Sequence, residues 1–260
     1  MKMREVVPRE HGAWAMWIVP MITAALVSQF RLSLLLLFVS FGLLYLVHHP
    51  VVRLIKTGKF SNRDEKKFVL LAGIPALIIA LSLVLFFELY WLICFGMIEL
   101  ALFVLSVKAF VAREQRTYLN EFTVAAALTF TGPAAYYAIT GTVDINAVQL
   151  YILNFLFFGS SIFYVRTRIE FLKAKGVSTR DTRLSGFVTV IYHIVLVVVV
   201  LLLSICGSTS ILMLLAFAPM IAQATFGLLF KKGKLDFSRL GIALVLQSLF
   251  FLAAVRVFWK

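Results

Sequence analysis

The sequence predicts an all-α membrane protein: nine transmembrane helices bundled in a single integral domain over residues 1–260. Three observations predict it. Hydrophobic residues make up 62% of the chain and charged ones 14%, with a mean hydropathy of +0.99, which leaves too little polar surface to cover a water-exposed globule. The apolar residues fall in long runs, each near the ~20 residues that a helix needs to cross a bilayer. The lysines and arginines gather in alternate polar stretches, as they do on the cytoplasmic face of a multi-pass protein. Barrel strands are shorter, and backbone groups in lipid must be bonded internally, so helices are the architecture that fits.

Polar punctuation divides the chain into runs at about residues 12–28, 32–52, 68–87, 89–110, 119–140, 145–165, 185–205, 208–229 and 237–257. The first follows Lys2, Arg4 and Arg9 but continues through Trp14, Trp17 and Pro20 into further apolar segments, so it reads as a span and not as a signal peptide. The second closes on His48, His49 and Pro50, before a loop with Arg53, Lys56, Lys59, Arg63, Lys66 and Lys67. The third has Pro75 near its start and meets the fourth at Glu88, a junction short enough to predict a tight hairpin; Gly207 does the same between the seventh and eighth. Glu99 lies deep in the fourth run, and Lys108, Arg113 and Arg116 follow it. Asn120 and Glu121 open the fifth, where the helix dipole favours an acid that caps or pairs with Arg113 or Arg116, and Gly132-Pro133 predicts a kink. Arg166, Arg168, Lys173 and Lys175 end the sixth; Arg180 and Arg183 precede the seventh, which contains His193. Pro219 predicts a bend in the eighth, and Lys231, Lys232, Lys234 and Arg239 separate it from the ninth.

By this division 22 of the 25 lysines and arginines lie on one side, leaving Arg31, Arg256 and Lys260 on the other. The N-terminus is therefore expected in the cytoplasm and the C-terminus outside, with the protein in the cytoplasmic membrane. Topology and anionic lipid headgroups account for the net charge of +13, so no nucleic-acid partner is expected. Cys94 and Cys206 sit singly in apolar runs and read as free thiols. Trp14, Trp17, Tyr90, Trp91 and Trp259 read as an aromatic interface belt, the phenylalanines as lipid-facing bulk, and Asn154, Gln223 and Gln247 as interhelical hydrogen-bonders or cavity linings.

The loop "RLIKTGKFSNRDE" after the second helix resembles that of the UbiA superfamily of membrane prenyltransferases, with Arg53, Thr57, Gly58, Lys59, Ser61 and Arg63 at corresponding positions. The segment "LNEFTVAAALTFTGPAAYYAITGTVD" is similar to that superfamily's fifth helix, and "PREHGAW" with "HHP" resembles the YwiC-like membrane proteins. The resemblance implies a UbiA-like bundle with a ligand cavity at the cytoplasmic ends of the second and sixth helices. Active UbiA members hold Mg²⁺ there on two acidic clusters, because a hard cation needs oxygen ligands. Here residues 31–63 contain no Asp or Glu, and Arg166 and Arg168 stand where the second cluster would be, with Glu170 and Asp181 the nearby acids. Mg²⁺ is thus not an expected cofactor, and ordinary Mg²⁺-dependent prenyl transfer is not expected.

Reversing the charge turns a metal cradle into a pocket for an anion. The leading expectation is a basic cytoplasmic-side cavity binding an isoprenoid, a quinone or a phosphate-headed amphiphile, with His11, His48, His49, Arg53, Lys59, Asn120, Glu121, Arg166, Arg168 and His193 as ligand-binding candidates. Each arginine taken singly also fits a headgroup anchor. Two alternatives stand beside it: a divergent prenyltransferase, and a metal or haem protein built on the four histidines. Adjacent His48 and His49 point about 100° apart on a helix, so both face one centre only if the helix unwinds before Pro50.

Overall fold

The computed structural model describes residues 11–60, 63–112, 117–174, 179–205, 209–229 and 237–259, and no β-strand occurs among them. The helices are α1 (His11–Val27), α2 (Leu32–Thr57), α3 (Arg63–Leu85), α4 (Trp91–Val111), α5 (Tyr118–Thr129), α6 (Thr131–Thr140), α7 (Ile145–Lys173), α8 (Arg180–Ile205), a 3-10 helix (Ile211–Phe217), α9 (Ala218–Leu229) and α10 (Phe237–Phe258). Among the described residues eight helical units are long and apolar enough to cross a membrane, α5 with α6 and the 3-10 helix with α9 each counting as one. The first predicted span is the shorter apolar helix Gly12–Val27.

Several helices outrun their apolar segments. Hydropathy marks where side chains leave lipid, whereas backbone hydrogen bonding continues until a cap stops it. α2 runs through Pro50 to Thr57, where Gly58 takes a left-handed φ of 71° and its N–H closes on the Leu54 carbonyl. Arg53 and Lys56 therefore stand on a helix and not in a loop. α3 begins in a charged turn, with Asp64 and Glu65 at its positive dipole end. α7 extends to Lys173, and α8 already starts at Arg180.

The break between α5 and α6 falls at Phe130, just before the Gly132-Pro133 pair. Pro133 has no N–H to give the carbonyl one turn back, and the Phe130 N–H is shared between the Ala126 and Ala127 carbonyls. Thr131 uses the break to donate its hydroxyl to the Trp17 carbonyl at 3.0 Å. Pro219 stands where a 3-10 turn gives way to α9. Pro75, by contrast, lies within a continuous α3.

α7 is the spine. It packs against α5, α6, α8 and α9, while α1 lies alongside α6, α7 and α10. Polar groups join these helices: buried Asn154 donates to Thr23 Oγ1 at 2.9 Å, and half-buried Gln247 of α10 donates to Gln223 of α9 at 2.8 Å. Both contacts are of the interhelical kind that small polar residues supply inside membranes. Trp17 departs from the belt reading, since it is buried against Phe38, Phe41 and Tyr45 of α2. Tyr90 and Trp91 remain exposed at a helix end.

The α3–α4 turn is as short as expected, but the two helices diverge from it. Glu88 adopts φ 57°, and the Leu89 N–H closes on Leu83 O at 3.2 Å. α3 then packs along α2, whereas α4 packs on α5 and α6. Leu83, Leu89 and Phe95 clasp Tyr137 and Ala138 of α6 at the apex. Cys206 and Gly207 lie outside the described residues.

Candidate functional site

Among the described residues two ion pairs join helices at the lysine- and arginine-rich end of the bundle, beside a third, Lys173–Glu170, within α7. Arg53 Nη1 donates to Glu65 Oε1 at 2.8 Å and joins α2 to α3. Arg166 Nε donates to Glu121 Oε2 at 2.6 Å and joins α7 to α5; its guanidinium carbon sits 4.0 Å from the centroid of the Tyr118 ring. Capping of α5 falls to Thr117, whose side chain accepts from the Asn120 N–H. Glu121 is thus a bridge between helices, while Arg113 and Arg116 lie outside the described residues.

The other candidates are spread more widely. Arg168 is two residues beyond Arg166, about 200° around the helix, and is buried towards α9, where Gly227 leaves room for its Cδ and for Tyr164. Asn120 is buried at the start of α5. Lys59 is exposed just past α2, its carbonyl accepting from Thr57 Oγ1 at 2.8 Å. The His11 side chain lies outside what the structure describes.

The histidines divide between two places. His48 and His49 have ring centroids 5.3 Å apart at 81°, and α2 stays helical through both. His48 also meets Phe103 of α4 edge-on at 5.3 Å, and nearby the Lys56 ammonium lies 4.6 Å from the centroid of the Phe110 ring. His193 has both ring nitrogens engaged. Its Nδ1 is 2.8 Å from the Thr189 carbonyl, which can only accept, so Nδ1 carries the proton. In the neutral ring Nε2 then accepts from Ser160 Oγ at 2.8 Å.

His193 ends a hydrogen-bonded ladder. Thr189 and Thr167 hydroxyls meet at 2.7 Å, Thr167 and Ser185 at 3.0 Å, and Ser185 and Tyr118 at 3.4 Å. The ladder thus joins the Tyr118 under Arg166 to the middle of α8. The imidazole also lines a cavity of about 350 Å³ between α8 and α9, with Val190, Ile194, Val197, Ile221 and Thr225. Among the described residues no three His, Cys, Asp or Glu side chains gather as a metal site would require.

A further feature was missed by reading the phenylalanines as bulk. Aromatic rings run in contact from Tyr118 to Phe163 (5.6 Å between centroids), Phe122 (5.1 Å), Phe155 (5.8 Å), Tyr151 (5.9 Å), Phe130 (5.3 Å) and Phe95 (5.5 Å). The signal is in the spacing: 118 with 122, and 151 with 155, fall on single helix faces.

Helices of this length and apolarity define a multi-pass membrane protein of the all-α class. A family model described as YwiC-like protein matches residues 7–136. The chain belongs to the YwiC-like family, and it is 28% identical over 258 residues to the protein YwiC of Bacillus subtilis (strain 168), covering 98% of this chain and 99% of that one. No solved structure matches. Neither the family model nor the relative shows the expected UbiA resemblance.

Proposed function

We propose that this protein binds an isoprenoid, a quinone or a phosphate-headed amphiphile, its head against Arg166 and its tail along the rings between Tyr118 and Phe95. The observation that carries this reading is the aromatic run, which begins at an ion pair and continues along α5 and α7 to α4. A guanidinium pairs phosphate and other oxygens with directed hydrogen bonds, and the Arg166 side chain is 19% exposed, so a headgroup can reach it. Phe122, Phe155, Tyr151 and Phe130 are half-buried, and an unsaturated chain lying on them gains dispersion contact. The basic end faces the cytoplasm in this reading, within the cytoplasmic membrane.

Mass spectrometry of lipid retained after mild purification tests it. The natural protein should hold an isoprenoid or quinone-type amphiphile near stoichiometrically, with retention about tenfold lower, a change of ~1.4 kcal/mol in binding, in Arg166→Ala/Arg168→Ala and in Phe122→Ala/Phe155→Ala. Undiminished retention in the arginine variant, or bulk phospholipid alone in all three, overturns the proposal.

A further inference from the structure

Glu99 is the ninth residue of α4, so at ~1.5 Å per residue its Cα stands about 12 Å along the axis from Trp91 and about 18 Å from Val111. A charged side chain at such depth costs ~2.5 to 3.5 kcal/mol on insertion scales. Yet Glu99 makes no ion pair or hydrogen bond among the described residues. It caps no helix and bridges none, so its retention is unexplained by packing.

Its surroundings are aromatic. Phe95 and Phe103 stand one turn to either side on the same face of α4, the first against Phe130 and Tyr137, the second against His48. Tyr151 of α7 joins this cluster through Phe130, whose ring centroid lies 5.3 Å from its own and 5.5 Å from that of Phe95, and its hydroxyl makes no hydrogen bond among the described residues. The intervening α5 carries the small residues Ala125, Ala126 and Ala127. α4 exposes Met97, Ile98 and Leu100 around the acid, so a ligand can arrive from the bilayer.

We propose that Glu99, with Phe95, Phe103 and Tyr151, forms an intramembrane site for a lipophilic organic cation that exchanges for the carboxyl proton. In the empty site the carboxyl is neutral. When the cation enters, the O–H bond breaks, the proton leaves to water, and the carboxylate stays paired with the cation, so charge balances and no other covalent bond changes. Ring faces attract cations, and a charge dispersed over alkyl or aryl groups enters lipid far more readily than a hydrated ammonium. The titratable groups on the neighbouring helices are Tyr151 of α7, linked to Phe95 through Phe130, Tyr137 of α6, which meets Phe95 and whose hydroxyl accepts from the Trp91 N–H, and His48 of α2 beyond Phe103. α5 presents no titratable residue from Phe122 to Thr129. Protonation of His48 and of Glu99 acts in the same direction, against cation binding.

Tetraphenylphosphonium is the probe, measured by equilibrium dialysis on the full chain in lipid nanodiscs. Binding should saturate at one cation per chain, release one proton, weaken about tenfold, ~1.4 kcal/mol, between mildly alkaline and mildly acidic pH, and vanish in Glu99→Gln. Phe95 and Tyr151 also belong to the aromatic run that takes the amphiphile tail, so the two ligands compete: cation binding should persist in Arg166→Ala, which weakens the amphiphile alone, and it should not depend on the amphiphile's retention. If Glu99→Gln does not fold, labelling of the natural protein by a hydrophobic carbodiimide replaces it: the reagent attacks neutral carboxyls in apolar surroundings, and tetraphenylphosphonium should protect Glu99. Absent or pH-independent binding, unchanged binding in Glu99→Gln, or labelling without protection overturns the proposal.

Discussion

Arg166 Nε meets Glu121 Oε2 at 2.6 Å, fastening α7 to α5 with the Tyr118 ring beneath the guanidinium. The two side chains are 19% and 33% exposed, so both charges are partly withdrawn from water. Removing one partner takes the opposite charge away from the other, a larger loss than the net worth of the pair. Arg166→Ala and Glu121→Ala should each lower stability by about 1–3 kcal/mol, while the double variant should lose less than the sum by about 1 kcal/mol. Thermal unfolding in detergent reads both; strictly additive losses would show that the pair contributes nothing.

The Arg53–Glu65 pair is asymmetric, its arginine side chain 43% exposed and its glutamate 5%. Arg53→Ala takes a cation away from a buried carboxylate, whereas Glu65→Gln leaves a neutral group beside an arginine that water still solvates. The first should cost about 1–3 kcal/mol, the second under about 1 kcal/mol. Equal losses, measured by the same unfolding, would place the sensitivity at the glutamate instead.

Gly159 of α7 lies against Tyr192 of α8. A Cβ there would overlap the Tyr192 hydroxyl and lie 2.9 Å from its Cζ. That hydroxyl donates to the Leu156 carbonyl at 2.8 Å, so Gly159→Ala both crowds the interface and breaks a hydrogen bond. A loss of about 2–4 kcal/mol is expected. Gly159→Ala/Tyr192→Phe should recover part of it, because the overlapping oxygen is gone; no recovery would mean that backbone displacement dominates.

The spans were legible because lipid imposes length and apolarity on every crossing, and the α5–α6 break because proline withholds an N–H. Partner choice was not. Glu121 pairs with Arg166, 45 residues away, and nothing in the loop next to Glu121 announces that α5 lies beside α7. Glu88 illustrates the same limit: the short junction fixed the turn's length, but the left-handed φ of 57° accompanies helices that part instead of pairing. Arg166 and Arg168 were read together as neighbours in sequence, whereas the helix sends one to α5 and the other towards α9. Trp17 was read as an interface anchor from residue type alone. Phe38, Phe41 and Tyr45, at i, i+3 and i+7 on α2, were the spacing that pointed inward.

His193 offers the sharpest test of the histidine-centred alternative. With Nδ1 donating to Thr189 and Nε2 accepting from Ser160, the neutral imidazole has no lone pair left for a metal unless one bond breaks. Ser160→Ala removes the donor and leaves Nε2 unsatisfied, at a cost of about 1–3 kcal/mol, whereas Ser160→Ala/His193→Leu removes both partners and should come closer to the natural protein. Chelator treatment should leave the Tm unchanged. A fall in Tm on chelation, reversed by one added transition metal and absent in His193→Leu, would show that the ring turns from Ser160 to a metal.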